Sequence, residues 1–163
     1  SLDASFGTGG KVTTDIGTGD DVANAVTMQS DGKIIAAGYS SNGTTKYFVL
    51  VRYNTDGSLD ASFGTGGKVT TDIGTGDDVA NAVVLQSDGK IVAAGYLLTS
   101  YHDFALVRYN TDGTLDTGFG TGGIVVSSIG TLFYCDGVAI QSDGKIVAAG
   151  TAGKDIGIVR YWP

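Results

Sequence analysis

The sequence repeats itself along its length. Residues 1–26 recur letter for letter as residues 58–83, and a looser third version begins at Thr114. Self-similarity at a period of this size indicates small structural units that bury their apolar faces against one another. We therefore expect residues 1–163 to form a single repeat domain, with repeats at 1–57, 58–113 and 114–163.

The composition favours β-structure with many tight turns. All 17 acidic residues are Asp, and 27 residues are Gly. Asp and Gly favour turns, whereas Glu, which the sequence lacks, favours helices. A net charge of -7 without a basic stripe argues against nucleic acid as a partner, and no apolar run is long enough for insertion into a membrane. Cys135 is the single cysteine, so no internal disulfide can form, and we expect it to be a small buried side chain.

Four strands are predicted in each repeat. In the second repeat they lie at 68–73, 78–86, 90–96 and 104–110. An Asp-Gly pair between the second and third strands indicates a hairpin, and small Ala80 and Ala82 suit an innermost second strand. The third and fourth strands are continuous apolar runs, which is typical of sheets covered on both faces. This predicts an all-β fold, a β-propeller built of four-stranded antiparallel blades with three repeats per chain; a threefold β-trefoil or β-prism is the alternative.

The ends of the chain suggest how such blades would join. Residues 11–16 match the outer strand of each repeat, whereas residues 156–161 match the fourth. The N-terminal strand of one chain can therefore complete a sheet that the C-terminus of another begins. Because rings commonly have about four to eight blades, we expect a homo-oligomer, a dimer that completes a six-bladed ring.

The repeats differ most between their third and fourth strands. These variable segments lie at 40–46, 97–103 and 151–154, while the flanking framework is nearly constant. Changeable loops on a constant scaffold are where binding usually resides. We therefore predict ligand-binding residues in and beside these loops: Tyr39, Asn42, Tyr96, Tyr101, His102 and Asp103. No catalytic residue, metal ligand or cofactor is predicted, because the one His and one Cys suit neither a triad nor a zinc site.

Several motifs recur in every repeat and are interpreted as structural. Each of the three arginines precedes a Tyr, and we expect pairing with the Asp of a following Leu-Asp, as at Asp60 and Asp116. The segment 54–60 resembles part of a calcium loop, but it offers few carboxylates, and we favour a turn. The adjacent acids at 20–21 and 77–78 are expected to face water. Three aromatic residues are expected to pack between blades: Phe6, Phe63 and Phe119.

The combined pattern is similar to that of a bacterial family. It reads Leu-Asp-x-Ser-Phe-Gly-x-Gly-Gly-x-Val, then Gln-x-Asp-Gly-Lys-Ile-x-x-Ala-Gly, then Phe-x-Leu-x-Arg-Tyr-Asn-x-Asp-Gly. It resembles the delta-sixty repeat, a predicted β-propeller of large secreted or surface-associated proteins. The third repeat departs at Gly118 and Ile124, as a terminal capping repeat would. The resemblance implies an extracellular or cell-surface setting, and because Ser1 matches Ser58 in mid-pattern, we expect a chain cut from a longer protein.

These features predict a binding or adhesion module rather than an enzyme. The variable loops are expected to contact the ligand, for which a glycan or a surface protein is the candidate. A purely structural, oligomerising repeat of a larger protein is the alternative, and a hydrolase is the second alternative.

Overall fold

The computed structural model describes residues 1–128 and 133–163, and eleven strands lie within these residues. They are β1 (Asp21–Met28), β2 (Ile34–Ser41), β3 (Lys46–Tyr53), β4 (Lys68–Thr71), β5 (Asp78–Leu85), β6 (Ile91–Leu98), β7 (His102–Tyr109), β8 (Ile124–Ser127), β9 (Phe133–Ile140), β10 (Ile146–Ala152) and β11 (Asp155–Tyr161).

The strands form three antiparallel sheets, numbered here in chain order. Sheet 1 has the order β1-β2-β3-β4, sheet 2 the order β5-β6-β7-β8, and sheet 3 the order β9-β10-β11. Every pair of neighbouring strands runs antiparallel. The prediction of an all-β, antiparallel fold is therefore confirmed. The array of three sheets is open and does not close into a ring.

Each four-stranded sheet crosses a boundary between sequence repeats. β4 lies in the second repeat yet pairs with β3 of the first, with Phe48 opposite Thr71. Backbone hydrogen bonds hold the connecting loop, because the Asp60 amide donates to the Arg52 carbonyl at 2.9 Å and the Arg52 amide donates to the Gly67 carbonyl at 2.8 Å. The outer strand of each complete sheet thus comes from the next repeat.

Apolar side chains fill the spaces between successive sheets. One layer lies between sheets 1 and 2 and includes Leu50 and Ile91. A second lies between sheets 2 and 3 and includes Leu106 and Ile146. Alternate residues of β6 and β7 point to opposite layers, which explains why these strands are apolar throughout. Two separate layers argue against the trefoil and the prism, in which all three repeats enclose one shared core.

The predicted hairpins are confirmed at the Asp-Gly turns. Between β5 and β6, the Gln86 amide donates to the Lys90 carbonyl at 2.9 Å, and Asp88 Oδ1 accepts the Lys90 amide at 3.1 Å. Gly89 has a φ of 84°, a conformation that residues with a Cβ rarely adopt. The turn chemistry indicated by the sequence therefore sets the register of each hairpin.

The first strands of the sheets contact one another along the array. Asn24 donates from Nδ2 to the Ala80 carbonyl at 2.9 Å, and Asn81 donates from Nδ2 to the Cys135 carbonyl at 3.0 Å. Each Asn lies at a bulge in its strand. Ala80 is fully buried, in agreement with the small residues predicted here, and so is Cys135, as expected.

Two of the three recurring arginines form structural ion pairs, as predicted. Arg52 donates from Nε to Asp60 Oδ2 at 2.8 Å, and Arg108 repeats this contact with Asp116 at 2.8 Å. The Arg52 guanidinium also lies 4.5 Å from the centre of the Phe63 ring, which is fully buried. The packing predicted for the recurring Phe is thereby confirmed at this position.

Among the described residues, sheets 1 and 3 each have a neighbouring sheet on one face only. The strand predicted at 11–16 is not formed, because a strand needs a hydrogen-bonding edge and the edges of β3 and β7 are already occupied by β4 and β8. Within the described residues, β11 has a strand on one side only.

Candidate functional site

A cation, a carboxylate and a phenol meet beside the variable loop of sheet 1. The Lys46 ammonium lies 4.6 Å from the centre of the Tyr39 ring. The Lys46 amide donates to Asp77 Oδ1 at 3.0 Å, and its ammonium lies 3.9 Å from Asp77 Oδ2. Tyr39 and Lys46 come from sheet 1, whereas Asp77 directly precedes sheet 2. The contact therefore spans the junction between the two sheets.

The corresponding place between sheets 2 and 3 is aromatic. His102 occupies the position of Lys46 in β7, and its ring centre lies 4.9 Å from that of Tyr96 and 4.3 Å from that of Tyr134. Tyr96 and Tyr134 pack edge to face at 5.1 Å. Aromatic pairs favour such edge-on and tilted arrangements. Similar repeats therefore present different chemistry at the two junctions.

The two groups interact electrostatically and together make up a patch that spans both junctions. Burial raises the pKa of Tyr96, and neighbouring Tyr134, Asp77 and Tyr39 raise it further. These contributions come from both junctions, so the groups affect one another electrostatically. We call this patch the variable-loop strip, and its members are Tyr39, Lys46, Asp77, Tyr96, His102 and Tyr134.

Two further predicted ligand residues lie beside the strip. Tyr101, at the tip of the β6–β7 hairpin, is 55% exposed. Asp103 follows His102 on β7 and is half-buried. Among the described residues, neither Asp103 Oδ1 nor His102 Nδ1 has a hydrogen-bond partner, although both atoms are buried. Each is therefore a buried hydrogen-bonding atom without a partner in the described residues.

Asn42 is engaged within its own loop. Its Oδ1 accepts the amides of Thr44 and Thr45, both at 2.9 Å, and its Nδ2 donates to the Tyr47 hydroxyl at 2.9 Å. Such bonds fix a turn. The Asn42 side chain therefore helps to fix the conformation of its loop.

The sequence did not lead us to three members of the strip: Lys46, Asp77 and Tyr134. Tyr134 stands where Val22 and Val79 stand in the earlier repeats. A bulky polar ring at a position otherwise filled by Val is a departure from the repeat, and that departure was the available signal. Asp77 lies in a segment that is identical in two repeats, so no departure from the repeat distinguishes it.

Asp78 corrects the expectation that both acids of the pair at 77–78 face water. Asp78 is fully buried. The Ile73 amide donates to its Oδ2 at 2.7 Å, while Oδ1 has no partner in the described structure. Burial raises the pKa of Asp78 to about 6, and the charges of Asp72 and Asp77 act in the same direction. The second sheet is stacked on the first at this point, which the local sequence could not reveal.

The calcium-like segment at 54–60 is a hydrogen-bonded turn. Asp56 Oδ1 accepts the Ser58 amide at 2.9 Å and the Ser58 hydroxyl at 2.6 Å. Asp60 pairs with Arg52 at 2.8 Å and with Lys33 at 2.9 Å. Across residues 1–128 and 133–163, no group of three or more His, Cys, Asp or Glu side chains is placed to hold a metal ion. The same residues contain no helix with the length and apolarity needed to cross a membrane.

Comparison with known proteins agrees with the stacked sheets. A family model described as "domain of unknown function (DUF5122) beta-propeller" matches residues 29–63, 86–119 and 141–163. One matched segment begins in each repeat, the first two extend into the following repeat, and together the three cover more than half of the chain. No curated protein matches the sequence. The chain therefore belongs to the DUF5122 beta-propeller family.

Proposed function

We propose that the chain is a non-enzymatic binding module whose ligand contacts the variable-loop strip. The supporting observation is the cluster of Tyr96, His102 and Tyr134, with ring centres 4.3 to 5.1 Å apart, beside the exposed Tyr101. Rings with polar edges offer apolar faces and hydrogen-bonding groups to one ligand.

A carbohydrate is the ligand class that we propose. Sugars present apolar C–H faces, which stack on aromatic rings, and hydroxyls, which donate and accept hydrogen bonds. The buried His102 Nδ1 and Asp103 Oδ1 are without partners in the described residues, and unpaired buried polar atoms cost roughly 1–3 kcal/mol each. A hydroxyl that reached either atom would remove that cost.

The arrangement favours binding over hydrolysis. His102 contacts two aromatic rings, and no bond from it to a hydroxyl or thiol nucleophile is formed among the described residues. Asp103 is adjacent to it on β7, so the two side chains point to opposite faces of the sheet. A shared acid–base step between them is therefore disfavoured.

A role in adhesion at a bacterial surface is part of the proposal. It is supported by the resemblance to the delta-sixty repeat, whose members belong to secreted and surface-associated proteins. The glycan would then belong to a host, a neighbouring cell or the envelope itself.

A glycan array followed by titration calorimetry tests the proposal. The variant is Tyr134→Val, because Val occupies the same position in the other two repeats and the fold already accepts it there. Loss of one stacking ring should weaken the affinity for the best array ligand by about ten-fold or more. The control is Val126→Ala, an exposed residue of β8 that is not a member of the strip, and this variant should leave affinity unchanged.

Two outcomes would contradict the proposal. One is an array on which the protein binds no glycan above background. The other is a bound glycan whose affinity is the same for the wild-type chain and for Tyr134→Val, because the ligand would then contact another surface.

A further inference from the structure

We propose that two chains associate head to tail, with the open face of sheet 3 of one chain packed on the open face of sheet 1 of the other. This inference does not depend on the ligand proposed above. It rests on the two junctions already present within the chain, which supply a template for a third.

Apolar side chains at the C-terminal end are exposed where their equivalents are buried. Ile156 is 83% exposed, whereas the equivalent Phe104 in sheet 2 is fully buried. Ile158 is 66% exposed, whereas the equivalent Leu106 is fully buried. In sheets 1 and 2 these positions pack on the next sheet. Sheet 3 therefore presents the surface of a junction that lacks its other half.

The N-terminal end presents the complementary half. Val22 is 38% exposed in β1, whereas Val79, the same residue in the identical segment of sheet 2, is 4% exposed. Val26 and Met28 on the same strand are 67% and 69% exposed. A cleft of about 290 Å³ is lined by Val12, Thr14 and Ile16 together with the face of sheet 1. On sheet 2 the equivalent surface is covered by sheet 1.

The template also fixes a strand register. In sheet 2, β7 pairs with β8 through Phe104–Ser127 and Leu106–Val125. The equivalent residues place Ile156 opposite Thr14 and Ile158 opposite Val12 of a second chain. Residues 11–16, which pair with no described sheet of their own chain, would then form an outer strand beside β11 of sheet 3.

Charge complementarity points to the same pairing. Arg160 and Lys145 line a cleft with Trp162 at the C-terminal end. Their equivalents in sheet 1, Arg52 and Lys33, both bind Asp60, and Arg52 also stacks on Phe63. Asp3 is the equivalent of Asp60 in the N-terminal segment. Asp3 is exposed and, in the described residues, forms no ion pair. Asp3 of a second chain is therefore the acid that we expect to bind Arg160 and Lys145 in this cleft.

Head-to-tail contacts close into a ring when the rotation at each junction allows it. Two chains of three sheets give six, which falls within the usual range of about four to eight blades. Both junctions of such a ring are identical, because each chain contributes the open face of sheet 1 to one junction and the open face of sheet 3 to the other. The association is therefore expected to stop at two chains.

Charge reversal with sedimentation equilibrium tests this inference. The wild-type chain of 16.6 kDa should have twice that mass in solution. Arg160→Asp places two acids together at both junctions, and Asp3→Arg places two bases together, so each variant alone should have the mass of one chain. An equimolar mixture of the two variants should recover the two-chain mass, since every junction then pairs opposite or wild-type charges.

The mixture also separates loss of association from loss of folding, because misfolded variants could not recover it. The control Val126→Asp, which adds an acid on the exposed face of β8, should retain the two-chain mass. A wild-type mass of one chain at 100 µM, or a mixture that stays at one chain, would overturn the proposal.

A gain of affinity provides an independent test. At the internal junctions, Asn24 and Asn81 each donate an amide hydrogen to the next sheet, but the equivalent residue of sheet 3 is Asp136, which cannot donate when ionised. Asp136→Asn should therefore tighten the two-chain complex by roughly five- to ten-fold. An unchanged or weaker affinity would contradict the proposed contact of β9 with β1 of the second chain.

Discussion

Residues 1–26 and 58–83 have the same sequence but lie in different surroundings. The first copy begins the array and contributes only to β1 of sheet 1, whereas the second supplies β4 to sheet 1 and most of β5 to sheet 2. Ala23 is exposed, but the equivalent Ala80 is fully buried. Identical local sequence therefore yields different burial, because burial here is decided by the neighbouring sheet.

The contrast is sharpest for Asp21 and Asp78. Both carboxylates accept an amide hydrogen, from Ile16 at 2.8 Å and from Ile73 at 2.7 Å. Partial burial opposes ionisation of Asp21, but the Ser40 hydroxyl and backbone amides outweigh it and hold the pKa of Asp21 below its ordinary value. Full burial raises the pKa of Asp78 to about 6. Leu97 stands at the equivalent of Ser40 and offers no hydroxyl.

The largest expected difference between the two copies is at the recurring Phe. Phe63 is fully buried under Arg52, whereas Phe6 is half-buried. Phe63→Ala should lower the free energy of unfolding by about 3–5 kcal/mol, and Phe6→Ala by about 1 kcal/mol. Urea denaturation of both variants in an Arg160→Asp chain, which should stay single, measures the difference. Equal losses would show that the two copies have equivalent surroundings.

The next largest difference in stability is expected at the Asp of the recurring Leu-Asp pair, which is Asp3 in the first copy and Asp60 in the second. Asp60 is buried between Arg52 and Lys33, so Asp60→Asn leaves Arg52 with an uncharged partner and should cost about 3 kcal/mol. Asp3 is exposed and its carboxylate bonds only to Ser5 among described residues, so Asp3→Asn should change stability by less than about 0.5 kcal/mol. The same denaturation experiment measures both losses. A large loss of stability for Asp3→Asn would contradict the expected difference between Asp3 and Asp60.

The contributions of Asp21 and Asp78 to the free energy of unfolding should change with pH in opposite directions. The folded-state pKa of Asp78 lies above its unfolded value of 3.8, so its folded form holds the proton more tightly, and stability should fall by about 2–3 kcal/mol between pH 3.8 and pH 6. Asp78→Asn should remove this fall and stabilise the protein at pH 8.

The folded-state pKa of Asp21 is lowered, so the stability that ionised Asp21 contributes is present above pH 3.8 and is lost at lower pH. Asp21→Asn should therefore destabilise the protein at pH 8, and thermal denaturation at several pH values reports both signs.

The smallest difference is expected at the Thr–Tyr hydrogen bonds. Thr71 and Tyr109 are both buried, with hydroxyls 2.7 Å apart, and Thr14 and Tyr53 form the same 2.7 Å contact in a half-buried site. Thr71→Val leaves a buried phenol without its partner and should cost about 1–2 kcal/mol, whereas Thr14→Val should cost about 0.5 kcal/mol because water can reach Tyr53. A double-mutant cycle with Tyr→Phe at each site isolates the bond energies.

The sequence was sufficient for features that each repeat determines internally. Three such features are the Asp-Gly hairpin at Gly89, the pairing of Arg52 with Asp60 and the strands that are apolar on both faces. All of them depend on residues within one repeat or at the start of the next. The sequence was insufficient where a second sheet intervenes. The burial of Asp78 and the meeting of Tyr134 with His102 depend on how sheets stack, which no local pattern records.

The titration of Asp21 and Asp78 shows whether the neighbouring sheet decides the surroundings of each copy, since the two Asp residues lie in identical segments. Side-chain carboxyl carbons can be followed by NMR from pH 2 to pH 8 in the Arg160→Asp chain, with Asp→Asn variants for assignment. We expect Asp78 to titrate near pH 6 and Asp21 below its ordinary value. Two coincident titrations would contradict the account, because identical segments would then have identical surroundings.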